Sequence, residues 1–209
     1  WFNLFDNFLA RSRLYKFEPF LKKEVSGELI YFAKFFFDLD ANSKKEIDLP
    51  HMFVNQSDWE QIVSKMGVKN KDEIVIYDNS DVISSCRCWF NFIYFGHNPK
   101  LVHVLNGGLK KWIKENNEVT KNIINIQPSN YKSFEKKELV KNKKSINQNI
   151  NEQKFKVIDA RSKERFEGKV QEPRKGLRSG SIKNSFCIPF DQCLNENKTF
   201  KSKEDLTVI

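Results

Sequence analysis

The chain has 209 residues, 39% of them hydrophobic and 13% aromatic, enough for one large domain or two small ones with real cores. Its net charge is +9, yet the lysines are dispersed among Asn and Ile, with no compact basic stripe or nucleic-acid motif, and no apolar run approaches the roughly 20 residues of a membrane helix. Nucleic acid and membrane are therefore not expected as partners; a basic balance can also suit a small anionic substrate, but lysines dispersed in this way read first as a compositional bias.

In chain order, Phe2, Leu4, Phe5, Phe8 and Leu9 have helical spacing. A short apolar run, Phe35-Phe36-Phe37, ends in Asp38-Leu39-Asp40. Ser57-Asp58-Trp59-Glu60 has the pattern of a capping box, and Ile62, Val63 and Met66 continue one helical face that Gly67 closes. Ile74-Val75-Ile76-Tyr77 is a continuous apolar run of strand length, followed by the polar loop Asp78-Asn79-Ser80-Asp81. Residues 83–95 read as a buried helix ending at Gly96, and Leu101 to Leu105 as a second buried strand, within which His103 alternates. His97 and His103 both read as structural. Asn106-Gly107-Gly108 is a turn, and Leu109, Trp112 and Ile113 open an amphipathic helix.

Residues 114–153 are rich in Lys, Asn, Gln, Ser and Glu and show little periodicity beyond a weak helical patch near 134–140. They read as a boundary or linker. A strand resumes at Phe155-Lys156-Val157-Ile158-Asp159, Cys187 falls in another, and a helix is expected to begin near Ser202. Short apolar strands alternating with helices imply an α/β fold, a parallel sheet with helices on both faces and sites at the C-terminal ends of the strands. An echo between Phe32–Asp40 and Ile182–Phe190 suggests two copies of one domain. The expected division is a first domain over 1–116, a linker over 117–153 and the start of a second domain over 154–209.

Four cysteines stand at 86, 88, 187 and 193. Cys86 and Cys88 are two apart in a helical stretch and point to different faces, and no second pair has zinc-ligand spacing. Free buried thiols are expected, with no metal and no cofactor. No basic segment followed by a short apolar one opens the chain, so a cytoplasmic location is expected. The chain does not begin with Met, and a lost targeting segment would make it mitochondrial.

Asp159-Ala160-Arg161-Ser162, Arg165-Phe166-Glu167-Gly168, Glu172-Pro173-Arg174-Lys175-Gly176, Arg178-Ser179-Gly180 and Cys187-Ile188-Pro189-Phe190 follow one another in order. Ahead of them come Phe36-Phe37-Asp38-Leu39-Asp40, Pro50-His51-Met52, Ile76-Tyr77-Asp78, Trp89, Phe95-Gly96-His97 and Leu105-Asn106-Gly107-Gly108-Leu109 with Trp112. This ordered set resembles the two-domain sulfurtransferases of the rhodanese superfamily, most of all the 3-mercaptopyruvate sulfurtransferases. The resemblance implies tandem rhodanese domains, the second catalytic and here truncated. It implies transfer of a sulfane sulfur from 3-mercaptopyruvate, or thiosulfate, through a cysteine persulfide to a thiol or cyanide acceptor.

The nucleophile of such enzymes is a cysteine in a tight loop after a strand, where backbone N–H groups lower the thiol pKa. That loop is expected beyond Ile209, none of the four cysteines has its context, and the chain alone is expected to be inactive. By the same resemblance Arg165 and Arg174 grip the carboxylate and keto oxygens of the substrate, work that suits a planar, permanently charged fork. Asp40 and His51 match an acid and a histidine proposed as a proton relay. Asp78 stands where a nucleophile of the first domain would stand, and a carboxylate cannot carry a persulfide. Residues 24–34 depart from the pattern, leaving the opening strand of the first domain absent or unrecognisable and a sheet edge exposed. Gly180-Ser181-Ile182-Lys183-Asn184 departs likewise. The alternative function is a catalytically inactive rhodanese-like module used for binding or regulation.

Overall fold

Extended backbone favours residues branched at Cβ, and Ile74-Val75-Ile76 is such a run. The computed structural model describes residues 53–79, 84–119, 127–173 and 176–209. It also describes the backbone of three two-residue strands, β1 (Glu24–Val25), β2 (Glu28–Leu29) and β3 (Tyr31–Phe32). The chain divides into two units, one over 12–139 and one built on 140–209.

In the first unit β4 (Ile74–Ile76) is the middle strand of a parallel sheet ordered β3-β4-β5, with β5 at Val102–Val104. Tyr31 and Phe32 pair with Ile74 and Val75, and Ile74, Val75 and Ile76 pair with Val102, His103 and Val104. A two-residue strand thus lies in the stretch where the opening strand was expected to be absent or unrecognisable. β1 and β2 pair antiparallel beside it in sequence. The apolar run Phe35–Phe37 and the helical spacing at 2–9 lie outside the described residues.

The expectation that β5 is a buried strand is corrected at one position. Among the described strands β5 lies at the edge of its sheet, and His103 reaches solvent and pairs with Glu73 at 2.8 Å. Three helices flank the sheet in sequence, α1 (Gln56–Lys65), α2 (Ser84–Tyr94) and α3 (Gly108–Lys114). The cap of α1 lies two residues upstream of the expected box. Asn55 Oδ1 accepts from the Asp58 N–H at 2.9 Å, and Asn55 Nδ2 donates to the Asp58 carboxylate at 2.9 Å. Asn caps as well as Ser, and Asp58 at the third helical position completes the reciprocal pair.

Trp59 and Val63, one turn apart on α1, Cys88 and Phe92 on α2 and Phe95 just past its end are all fully buried with Ile74 and Ile76. Trp59 lies flat on Phe95 at 4.7 Å and edge-on to Phe92 at 5.1 Å. Each such side chain contributes about 1.5–3 kcal/mol by leaving water. α3 buries Leu109 and half-buries Trp112 against Tyr77, Val75 and Leu105, whereas Ile113, expected on the same face, is exposed. The turn before α3 requires glycine at 108. Its φ is +60°, and a Cβ there would lie 2.8 Å from the Asp78 carbonyl oxygen.

The segment expected to be linker carries structure where it is described. Residues 129–136 lie along the first unit as a strap. Ser129 N donates to Ser64 O at 2.8 Å, Tyr131 N to Ser64 Oγ at 3.0 Å and Lys136 N to Tyr94 O at 2.8 Å. Asn70 exchanges two hydrogen bonds with the Lys132 backbone, at 2.6 and 3.0 Å. Tyr131 is buried, stacked on the ring of buried His97 at 5.8 Å. The polar composition hid this strap because its hydrogen bonds are to partners 34 to 77 residues away in the chain.

In the second unit α4 (Lys143–Glu152) is capped by Asn142 and leads through Gln153, at φ 47°, to β6 (Val157–Asp159). Buried Asn149 pairs through its side-chain amide with both the N–H and the carbonyl of Phe155, at 3.0 and 2.7 Å. β6 pairs parallel with β7 (Ser185–Cys187) in the register Val157–Ser185, Ile158–Phe186 and Asp159–Cys187. Between them lies α5 (Lys163–Phe166), and α6 (Lys203–Leu206) follows, its first turn capped by Ser202. Val157 faces the interior; Ile158 and Phe186, opposite each other in register, are both exposed. Among the described residues no helix is long and apolar enough to cross a membrane.

Candidate functional site

The C-terminal end of β6 is a carboxylate, and Arg161, Glu172 and Arg165 are linked to it in turn. The Arg161 N–H donates to Asp159 Oδ1 at 3.0 Å, a turn closed by the acid's own side chain. The Arg161 side chain then folds over the same carboxylate. Its Nε donates to Oδ1 and Oδ2 at 3.0 and 3.1 Å, and Nη2 donates to Oδ2 and to the Gly180 carbonyl at 2.7 Å. Its Nη1 donates to Glu172 Oε1 at 2.7 Å. Four of its five N–H donors are so used, which is why a guanidinium can be 9% exposed here.

One helical turn on, α5 presents Arg165 from the same side. Gly168, at φ +73°, ends the turn and sends the chain back, with Lys169 N donating to Glu164 O at 2.9 Å. Glu172 arrives on the return, its side chain 1% exposed. Arg165 Nε donates to Glu172 Oε1 at 3.2 Å, and Arg165 Nη2 pairs with Oε2. One carboxylate therefore bridges two guanidiniums, in the alternating order Asp159, Arg161, Glu172, Arg165.

Burial pushes both carboxyls up, but the arginines outweigh it. Arg161 holds Asp159 below its ordinary value through hydrogen bonds and charge; Arg165, then Arg161, do the same for Glu172. The Arg161 pKa is raised by its hydrogen bond to Asp159 against the pull of burial. Arg165, 14% exposed, gives one edge of its fork to Glu172. Its Nη1 hydrogens meet no acceptor among the described residues.

Of the residues expected to form a site, Arg165 lies in this cluster. Asp40, His51 and Arg174 lie outside the described residues. Arg161 and Glu172 belong to the sequence motif but carried no role in the sequence reading. The available signal was an alternation of charge around a turn marked by Gly168.

Cys86, Cys88 and Cys187 are set in surroundings that disfavour the thiolate. Burial, with the nearby Asp78 charge, pushes the Cys86 thiol up to about 12, and burial alone pushes the fully buried Cys88 higher. Cys187 pairs in register with Asp159 and its Sγ lies 3.9 Å from the Arg161 carbonyl; burial first, then the Asp159 charge, raises its pKa. In the first unit Asp78, two residues past β4, accepts from Ser85 N and Oγ, both at 3.0 Å, so it caps the first turn of α2. Among the described residues no group of three or more His, Cys, Asp or Glu could hold a metal ion.

A family model of the rhodanese-like domain matches residues 44–115. The chain is 34% identical over 192 residues to thiosulfate/3-mercaptopyruvate sulfurtransferase 1, mitochondrial, of Arabidopsis thaliana, covering 82% of this chain and 50% of that protein. It is 32% identical over 195 residues to thiosulfate sulfurtransferase of Bos taurus, covering 92% of this chain and 63% of that protein. Tum1 of Saccharomyces cerevisiae has a similar structure, with a TM-score of 0.71 at 28% identity over 82% of this chain and 60% of that one. SseA of Escherichia coli, described as a 3-mercaptopyruvate sulfotransferase, shares the fold, with a TM-score of 0.70 at 24% identity over 82% and 63%. The chain spans 50% to 63% of the length of these relatives.

Proposed function

The chain belongs to the rhodanese superfamily, and on that premise we propose that it is part of a tandem-domain sulfurtransferase. The reaction moves a sulfane sulfur from 3-mercaptopyruvate, or thiosulfate, through a cysteine persulfide to a thiol or cyanide acceptor. The first domain comprises 1–116, and the second begins near 154. Relatives of this identity named for both donors support the reaction class.

The observation that carries the reading is Arg165. Its guanidinium is fixed by a buried carboxylate near the end of β6 and keeps an edge for an anion. In this proposal that edge holds the substrate carboxylate, Arg174 joins it, and Asp40 and His51 serve proton transfer. The nucleophile is supplied outside these 209 residues. That assignment is supported by the high pKa values of Cys86 and Cys88 and the raised value of Cys187, since the thiolate is the reactive species.

The test has two arms. The full-length protein, given 3-mercaptopyruvate and a thiol acceptor, releases pyruvate, and Arg165→Ala raises KM. A folded full-length protein that releases none overturns the enzyme reading in favour of an inactive binding module. The 209-residue chain exposed to donor gains no cyanide-labile mass of about 32 Da, one sulfur. Such an adduct would overturn the exclusion of its own cysteines.

A further inference from the structure

We propose that Glu172 is the positioning residue of the anion site, setting the plane of the Arg165 guanidinium and deciding which of its hydrogens face the substrate. The proposal rests on the sulfurtransferase reading and adds a residue and a mechanism to it. A guanidinium on a flexible stem holds a carboxylate well only when its fork is already oriented. Here the orientation comes from behind. Glu172 is 1% exposed and takes the Nε–Nη2 edge of Arg165 with both its oxygens. Arg161 grips Glu172 Oε1 in turn and is itself tied to Asp159 and to the Gly180 carbonyl. The chain of pairs ends on the β6 terminus, so the free edge of Arg165 is referenced to the sheet.

The charges matter as much as the geometry. Two carboxylates and two guanidiniums cancel, so the cluster attracts an anion by its directed N–H groups, not by a surplus of positive charge. This separates positioning from simple electrostatics by the sign of one effect. Glu172→Gln removes one negative charge and leaves the cluster net positive. If attraction were electrostatic alone, KM for an anionic donor would fall. If Glu172 positions Arg165, KM rises, because the amide turns an N–H toward a guanidinium and the fork loses its reference.

The experiment is steady-state kinetics with 3-mercaptopyruvate on the full-length protein. Glu172→Gln and the charge-conserving, one-methylene-shorter Glu172→Asp each raise KM roughly tenfold or more, the scale of one charge-assisted hydrogen bond. The kcat changes little, as for uniform binding of a group remote from the reacting bond. In an Arg165→Ala background the Glu172 substitutions add no further rise in KM, whereas a merely structural role would add one. An unchanged or lowered KM in a folded Glu172 variant, or a further rise without Arg165, overturns the proposal.

A second readout needs no variant. On the unmodified protein, titration with pyruvate shifts the nitrogen resonances of the Arg165 Nη groups and leaves those of Arg161 in place. Equal shifts at both arginines, or none at Arg165, overturn the assignment whether or not the variants fold. Absence of turnover in the unmodified protein would count against the sulfurtransferase reading alone; the titration would still decide whether Arg165 holds the anion, and its repetition on folded Glu172→Gln, where the Arg165 shift is expected to be lost, would decide the role of Glu172.

Discussion

Removing one oxygen, in Tyr131→Phe, tests how the strap over 129–136 is held. His97 Nε2 lies 3.1 Å from the Asp72 carbonyl, which can only accept, so Nε2 carries the hydrogen. His97 Nδ1 is then a bare acceptor, and the Tyr131 hydroxyl donates to it at 3.0 Å. Phenylalanine keeps the stacked ring and leaves that buried nitrogen unpaired. The expected loss is about 1–3 kcal/mol, the cost of an unsatisfied buried acceptor.

The same hydrogen bond gives a pH signature. Burial lowers the His97 pKa below its ordinary value, with the Asp72 carbonyl opposing. The unfolded chain therefore takes up a proton near pH 6.5 that the folded chain still refuses. Stability is complete above that pH and falls on acidification until the lower folded pKa is reached, by at most about 1.4 kcal/mol per pH unit. Tyr131→Phe frees Nδ1 to protonate, so the fall flattens. Urea denaturation of both proteins between pH 5 and about 7.5 measures both effects. A loss under about 0.5 kcal/mol with an unaltered pH slope would refute the buried donor–acceptor assignment.

Arg161→Ala leaves Asp159 and Glu172 buried without their shared cation and is expected to cost about 3–5 kcal/mol, read by denaturant midpoint. A loss near that of a surface substitution would mean the cluster is solvated. Gly108→Ala places a Cβ 2.8 Å from the Asp78 carbonyl at φ +60° and is expected to cost at least about 1–2 kcal/mol, also by denaturation.

The sequence alone determined the alternation of strand and helix, because short apolar runs with turn residues between them leave few other ways to bury side chains. Ile74–Ile76, the helix over 84–94 and the strand ending at Asp159 were all legible for that reason. The motif around Arg165 was legible only through its resemblance to a known family, since charged residues in a polar loop otherwise read as solvated surface. Which of those charges face each other was not. Glu172 is seven residues from Arg165 and eleven from Arg161, and only the reversal at Gly168 decides that its carboxylate meets both. His103 alternates like a core residue, and only the strand order places it at the edge of the described strands. The strap over 129–136 is polar throughout most of its length. Its order comes from Ser64, Asn70 and His97, partners that local periodicity cannot register and that the folded chain alone brings within hydrogen-bond reach.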